Sequence, residues 1–434
     1  MVINYMSPTA KNLLTRVVLL LGLAFLGITT TSVLHAKHLP APLNWPNWIG
    51  TWATSQQIPE PQNALPADDL RDATLRQIVH LSIGGKILRV RLSNAFGATA
   101  LRLTSVHIAR SLGAATSKID AASDKALRFS GSEDILIPPG AEYLSDPVDY
   151  PSAPLSNIAI TMHLDAPPAQ QTGHPGSRTT SYLVHGDMVA AAELPDAKTI
   201  NHWYMISGID VVAPPRAFSV AVLGDSITDG NGSTTNGNDR WTDVLAWRFQ
   251  ENAATRDIGI LNQAIGGNHL LTDGLGPNAL ARFDRDVLAR AGVRYLIVLE
   301  GINDLGGLSR KQDVTPVAPE EHDDLVHRMI GAYEQIIARA HAQKIKVIGA
   351  TILPDVGSGY YHPGPGNEAD RQKVNQWIRA AGHFDAVVDL DKAIADPQDP
   401  TRMLPSYDSG DHLHPSVAGH RVLGEAFPLS LFSK

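Results

Sequence analysis

Five apolar, β-branched runs punctuate the second half of the chain: "FSVAVLG", "IGILNQAIG", "VRYLIVLEG", "KIKVIGATILP" and "FDAVVDL". Amphipathic stretches separate them, and their helices are expected to start near Arg240, Asn278, Pro319, Glu368 and Ser416. Strands that are apolar almost without interruption must be buried on both faces. Alternation with helices supplies that cover, and it implies a parallel sheet between two helical layers. The expectation for this half is a three-layer α/β/α sandwich.

The first half has another texture. In "ILRVRLSN", Leu88, Val90 and Leu92 share one face, and Arg89, Arg91 and Ser93 the other. "NIAITMHL" sets Ile158, Ile160, Met162 and Leu164 on its apolar face, and "RQIVHLSIGG" and "LRLTSVHIAR" alternate similarly. Period-two runs broken by Gly, Pro, Asn and Asp point to an antiparallel β-sandwich. "VVAPPRAF", Val211 to Phe218, reads as a junction because two prolines disfavour helix. The expected organisation is a β-sandwich over 45–212 and an α/β domain over 216–434.

Lys11 and Arg16 precede an apolar run from Val17 to Ile28, followed by the small residues of "TTTSVLHA". A basic flank, a short apolar core and a small-residue end describe a signal peptide. The run falls short of the ~20 residues of a spanning helix. We expect a cleaved segment, 1–36, an exported protein in the periplasm or outside the cell, and no stable membrane anchor. The formal net charge is −8 with no basic patch, so nucleic acid is not an expected partner. The absence of cysteine excludes disulfides, thiol catalysis and cysteine metal sites.

Ligands of open parallel sheets bind beyond the carboxyl ends of the strands. After the first strand comes "GDSITDG" with Ser226, after the second "GGNH" with Gly267, after the third "GINDLGG" with Asn303. Beyond the fifth, across a longer loop, comes "DSGDHLHP". A serine at a strand-to-helix turn is a helix cap or a nucleophile. Asp411 and His414, three apart, can share a face, so the carboxylate can orient the imidazole toward Ser226. The amides of Ser226, Gly267 and Asn303 can bind the oxyanion of a tetrahedral intermediate.

The remaining polar residues divide into structural and contacting roles. Asp225 is expected to bond the turn around Ser226, and Asp304 to serve as a turn or helix cap. His412 and His420 are expected at the surface, with Asp408 uninvolved. Asn268 and His269 either contact substrate or order their loop. Arg240 and Trp241 either line the site or pack their helix. Tyr360, Tyr361 and His362, in the Gly/Pro-rich segment Pro354 to Asn367, are candidates for a wall that binds sugars or aryl groups.

"GDSIT", "NQAIGG", "GIND" and "DHLH", in this order, resemble the four signature blocks of the SGNH (GDSL-type) hydrolases. The resemblance implies a flavodoxin-like α/β/α fold and ester hydrolysis without metal or cofactor. By position it makes Ser226 the nucleophile, His414 the base, Asp411 its orienting acid, and Ser226, Gly267 and Asn303 the oxyanion hole. "LNQAIGGNHLLTDGLGPNALARFDRDVL", "LEGINDLGG", "WIGTWATSQ" and "RVRLSNAFG" are similar to a bacterial branch of arylesterases and acetylxylan esterases with a preceding β-domain. That branch implies a short acyl group, such as acetyl, on a plant polysaccharide or aryl alcohol.

Two other readings compete. A metal-dependent phosphoesterase would use Asp225, Asp229, Asn268, His269, Asp411, His412 and His414 as ligands, but an early Asp-x-His pair is missing and Ser226 is left unexplained. A carbohydrate-binding protein with an inert hydrolase domain would use Trp45, Trp48 or Trp52, yet every catalytic position is filled.

Overall fold

The computed structural model describes residues 46–312, 315 and 317–432; the expected signal segment and Trp45 lie outside them. Two antiparallel sheets occupy the front of the chain. In one, Trp48–Ala53, Ile206–Val212, Gly85–Ser93 and Glu142–Leu144 lie side by side. In the other, Ala73–His80 is flanked by Ser181–His185 and Asn157–Leu164, and the latter pairs with Ser105–Arg110. Leu88, Val90, Leu92, Ile158, Ile160, Met162 and Leu164 are all buried in the core between the sheets. The alternation seen in the sequence is therefore the pleat of a sandwich.

The back of the chain is the α/β layer. Its parallel strands are Phe218–Gly224, Ile258–Ala264, Val293–Leu299, Lys346–Ala350 and Ala386–Val388. Counted in chain order, they lie 2-1-3-4-5, the flavodoxin-like arrangement. The order reverses between the first and third strands, so a crevice opens at their carboxyl ends. All seven residues of the first strand are buried, which is why that run carries no polar alternation.

The second strand, Ile258–Ala264, is the edge of this sheet, and an edge leaves backbone groups unpaired. The sandwich covers it. Ser82 Oγ accepts from Ile260 N at 2.9 Å, and Gly50 N donates to Ala291 O at 3.0 Å. A Cβ on Gly259 would lie 2.1 Å from Gly50 O, so only glycine permits the approach. Asn47–Lys434 accordingly form one compact unit.

Helices begin at Trp241, Ala279, Pro319 and Val417, close to the expected positions. The helix expected near Glu368 starts earlier, at Pro365, because proline suits the first turn and Asn367 Oδ1 accepts from Gly364 N. Ile302–Gln312 is a helix the sequence pattern hides, since Gly306 and Gly307 lower its propensity. His420 is not a surface residue: it faces inward and is fully buried. Its Nδ1 accepts from Trp241 N at 3.3 Å, and its Nε2 donates to Asn231 O at 2.9 Å.

Candidate active site

Ser226 sits where the first parallel strand turns into a four-residue helix, Ser226–Asp229. Asp225 caps that turn by accepting from Ile227 N at 2.9 Å. Gly230, at φ 104, ends it with a left-handed residue that favours glycine. The turn is therefore short and pinned at both ends, and Ser226 has one preferred orientation.

His414 comes from the segment beyond the fifth strand. Its Nε2 lies 2.8 Å from Ser226 Oγ, and its Nδ1 lies 2.6 Å from Asp411 Oδ2. Asp411 Oδ1 also accepts from the backbone of Leu413 and His414, at 3.0 and 2.8 Å. These bonds close a local turn, so the i, i+3 spacing works without a helix. Partial burial pushes Asp411 up, but the His414 ring and the backbone N–H groups outweigh it and hold the carboxyl far below its usual range. Asp411 stays ionised and fixes the imidazole with Nδ1 protonated and Nε2 free to accept from the serine.

Gly267, at φ 69, and Asn303 line the same cleft as Ser226. The N–H groups of Gly266 and Asn268 are spent on Asp229 and Ile265. Those of Ser226 and Gly267 have no hydrogen-bond partner among the described residues. Asn303 Nδ2 donates to Asn268 O at 2.6 Å, and its Oδ1 accepts from Tyr361 Oη at 2.6 Å. The tyrosine thereby fixes which end of the amide is the oxygen and leaves the nitrogen as the donor toward Asn268 O. Ser226, Gly267 and Asn303, each with an N–H group, thus line one cleft.

The expected substrate contacts separate. Tyr360 is exposed and lines the cleft. Tyr361 lines the cleft as well but is only 5% exposed, and its hydroxyl is spent on Asn303. A Cβ on Gly306 would lie within 2.4 Å of its ring, so the glycine makes room for it. Asn268 is not a substrate contact: its side chain is fully buried, donating to Pro277 O at 2.8 Å and accepting from Arg282 Nε at 2.9 Å. It orders its loop and has no polar atom left for substrate.

Asp304 lies in the first turn of its helix, Ile302–Gln312, and bonds its own backbone N–H there. It reaches across from its own helix to accept from Leu270 and Leu271 N–H, at 2.8 and 3.1 Å, and so holds the Gly267 loop. Arg240 and Trp241 are packing residues: Arg240 binds Asp243 and the carbonyls of Asp229 and Ser177, and Trp241 stacks on Phe427. His412 is exposed and bonds Asp408 at 2.5 Å, away from Ser226. His269 lines the cleft. Among the described residues, no three His, Asp or Glu side chains converge as a metal cage requires.

Two features beneath the site have no legible signal in the sequence. Arg282, fully buried, donates to Ser55 Oγ, Gly224 O, Gln263 O and Asp286, and lies 3.8 Å from Glu300. Burial pushes Asp225 up to about 7 and Glu300 well above the carboxylate range, with Arg282 opposing both. His174, from the front of the chain, bonds Asp229 at 2.8 Å. Arg282 with Ser55, and His174 with Asp229, join residues far apart in sequence and follow no motif.

The cleft has a volume of about 710 Å³ and includes Ser226, Gly267, Asn303 and His414. Residues 222–422 match the model of the GDSL-like lipase/acylhydrolase family. No curated protein matches the chain. Solved structures similar to it include an acetylxylan esterase from Geobacillus stearothermophilus, 22% identical with a TM-score of 0.35, over 49% of this chain and 93% of that one. A GDSL-like lipase from Bacteroides thetaiotaomicron is 19% identical with a TM-score of 0.34, over 48% and 84%. An alpha/beta hydrolase enzyme from the metagenome of Lake Arreo, Spain, is 22% identical with a TM-score of 0.36, over 49% and 95%.

Proposed function

We propose, from the premise that the chain carries a GDSL-like lipase/acylhydrolase domain and is a carboxylic ester hydrolase, that it cleaves short-acyl esters through Ser226, His414 and Asp411. The observation that carries this reading is the continuous line Ser226 Oγ–His414 Nε2–Asp411, at 2.8 and 2.6 Å. Ser226 Oγ attacks the ester carbonyl carbon while His414 Nε2 takes its proton. The carbonyl oxygen becomes an oxyanion among Ser226 N, Gly267 N and Asn303 Nδ2. Collapse breaks the bond to the alcohol, which leaves with the proton from His414. Water repeats the sequence on the acyl-enzyme and releases the carboxylic acid.

The acyl group in this reading is acetyl-sized, and the alcohol belongs to a plant polysaccharide or an aryl compound. The residues flanking the motifs support that choice. Export to the periplasm or beyond the cell is supported by the pattern from Lys11 to Ala36.

The test is hydrolysis of p-nitrophenyl acetate with and without EDTA and a serine-directed phosphonate. We expect EDTA-resistant activity that the phosphonate abolishes. Ser226→Ala and His414→Ala should each be crippling, and the double variant no worse than either. Activity that survives Ser226→Ala would sink the triad.

A further inference from the structure

Arg178 lines the same cleft as Ser226 and His414, yet it comes from the front of the chain, in the turn "GSRTT". Its Nε is shut off from solvent and has no hydrogen-bond partner. No carboxylate among the described residues forms an ion pair with it. Arg290 also has shielded, unbonded nitrogens, but Glu142 and Asp286 lie 3.5 and 3.6 Å from it. Arg178 as a whole is half-buried, so its shielded Nε costs free energy while the rest of the residue is open to the cleft.

The turn is built to hold it. Arg178 has φ 49, unusual for a residue with a side chain. Ser177 Oγ donates to Thr179 O at 2.9 Å, Asn236 N donates to Arg178 O at 2.8 Å, and Arg240 donates to Ser177 O. Strain of this kind persists only where the surroundings over-determine it.

A second guanidinium lines the cleft. Arg310 lies 4.8 Å over the Tyr360 ring and donates to Tyr360 Oη at 3.2 Å. Asp411 is the one carboxylate among the described residues lining the cleft, and its oxygens are taken by His414, Leu413 and Ser409. The formal net charge of the chain is −8, so two arginines at the cleft without a carboxylate partner among the described residues run against the sign of the whole molecule.

We propose that Arg178 and Arg310 form a carboxylate-binding subsite, so that the preferred ester carries a carboxylate on its alcohol portion, as an acetylated uronic acid residue does. This rests on the short-acyl ester reading, because an acetyl group leaves no room for a carboxylate on the acyl side. A guanidinium presents paired donors that match a carboxylate and stays charged at every working pH. Tyr360, held under Arg310, offers its ring as a platform for the sugar.

The test compares singly acetylated methyl glucuronoside with singly acetylated methyl glucoside, by acetate release from the intact protein. We expect kcat/KM to favour the glucuronoside by about tenfold or more at low salt, through KM, and the preference to shrink as ionic strength rises. In Arg178→Gln the ratio of the two should fall about tenfold, with Arg178→Lys between and Arg310→Gln lowering it less. Methyl glucuronoside should inhibit the unmodified protein competitively where methyl glucoside does not, a readout that needs no variant. Equal kcat/KM for both esters, or a preference that survives Arg178→Gln, overturns the subsite alone. Failure to cleave either ester, with Ser226 untouched by the phosphonate, overturns the esterase reading itself.

Discussion

His174 Nε2 stands 2.8 Å from Asp229 Oδ1, and Asp229 Oδ2 in turn accepts from Gly266 N at 3.1 Å. The other ring nitrogen of His174 is bonded to Ser55 O at 2.9 Å. A line of hydrogen bonds thus runs from the sandwich to the residue before Gly267. Gly176 permits it, since a Cβ there would lie 1.8 Å from Asp229 Oδ2.

This line positions the oxyanion loop without touching substrate. His174→Asn and Asp229→Asn should each lower kcat for p-nitrophenyl acetate by about 10- to 100-fold, with KM nearly constant, because small misplacements of a donor are costly. Wild-type kcat in both variants would refute the link.

Tyr361 acts through Asn303. Tyr361→Phe removes the donor that fixes the Asn303 amide, and kcat should drop about tenfold. Asn303→Ala removes the cleft donor itself and should cost about 100-fold or more. Steady-state kinetics on the pair and on the double variant check the order, since the double variant should match Asn303→Ala alone.

Burial lowers the His420 imidazole from 6.5 to about 4. Between those values the unfolded chain binds a proton that the folded chain refuses. Stability therefore falls as pH drops through that window. The contribution is on the order of 3 kcal/mol. Asp225 and Asp355, pushed up by burial to about 7, give the opposite slope. The difference between parent and His420→Gln isolates the histidine: the urea midpoint of the variant, relative to that of the parent, should be higher at pH 4.5 than at pH 7. An unchanged pH slope would show that His420 is not the group responsible.

His412 and His414 are two residues apart and should differ sharply in effect. His412→Ala loses an exposed bond to Asp408 and should keep kcat within about threefold. His414→Ala should lose about 10⁴-fold. Comparable losses in both would mean that the wrong imidazole has been assigned to Ser226.

Residues whose partners are near in sequence, or whose place follows from strand order, are legible in the sequence itself. Asp411 and His414 bond across three residues, and Ser226 and Asn303 follow the carboxyl ends of adjacent strands. Asn268 defeats such a reading because what engages it, Arg282 and Pro277, meets it only in the fold. His420 does leave a trace: it precedes Leu423 by three on one helical stripe, and Leu423 is buried. Its polar character hides that periodicity. Arg178, His174 and Arg282 leave none, because their roles depend on how the sandwich docks on the edge strand.

Arg282 joins Ser55 of the sandwich, Gly224 of the strand before Ser226, the Asn268 loop and Asp286 of its own helix. A buried cation with partners on so many elements resists piecemeal change. Replacing the sandwich with an unrelated binding module would strand that charge beneath the nucleophile. Exchange of the front half at the proline junction is therefore expected to cost the protein its fold. Its two halves are expected to diverge together, as one inherited piece.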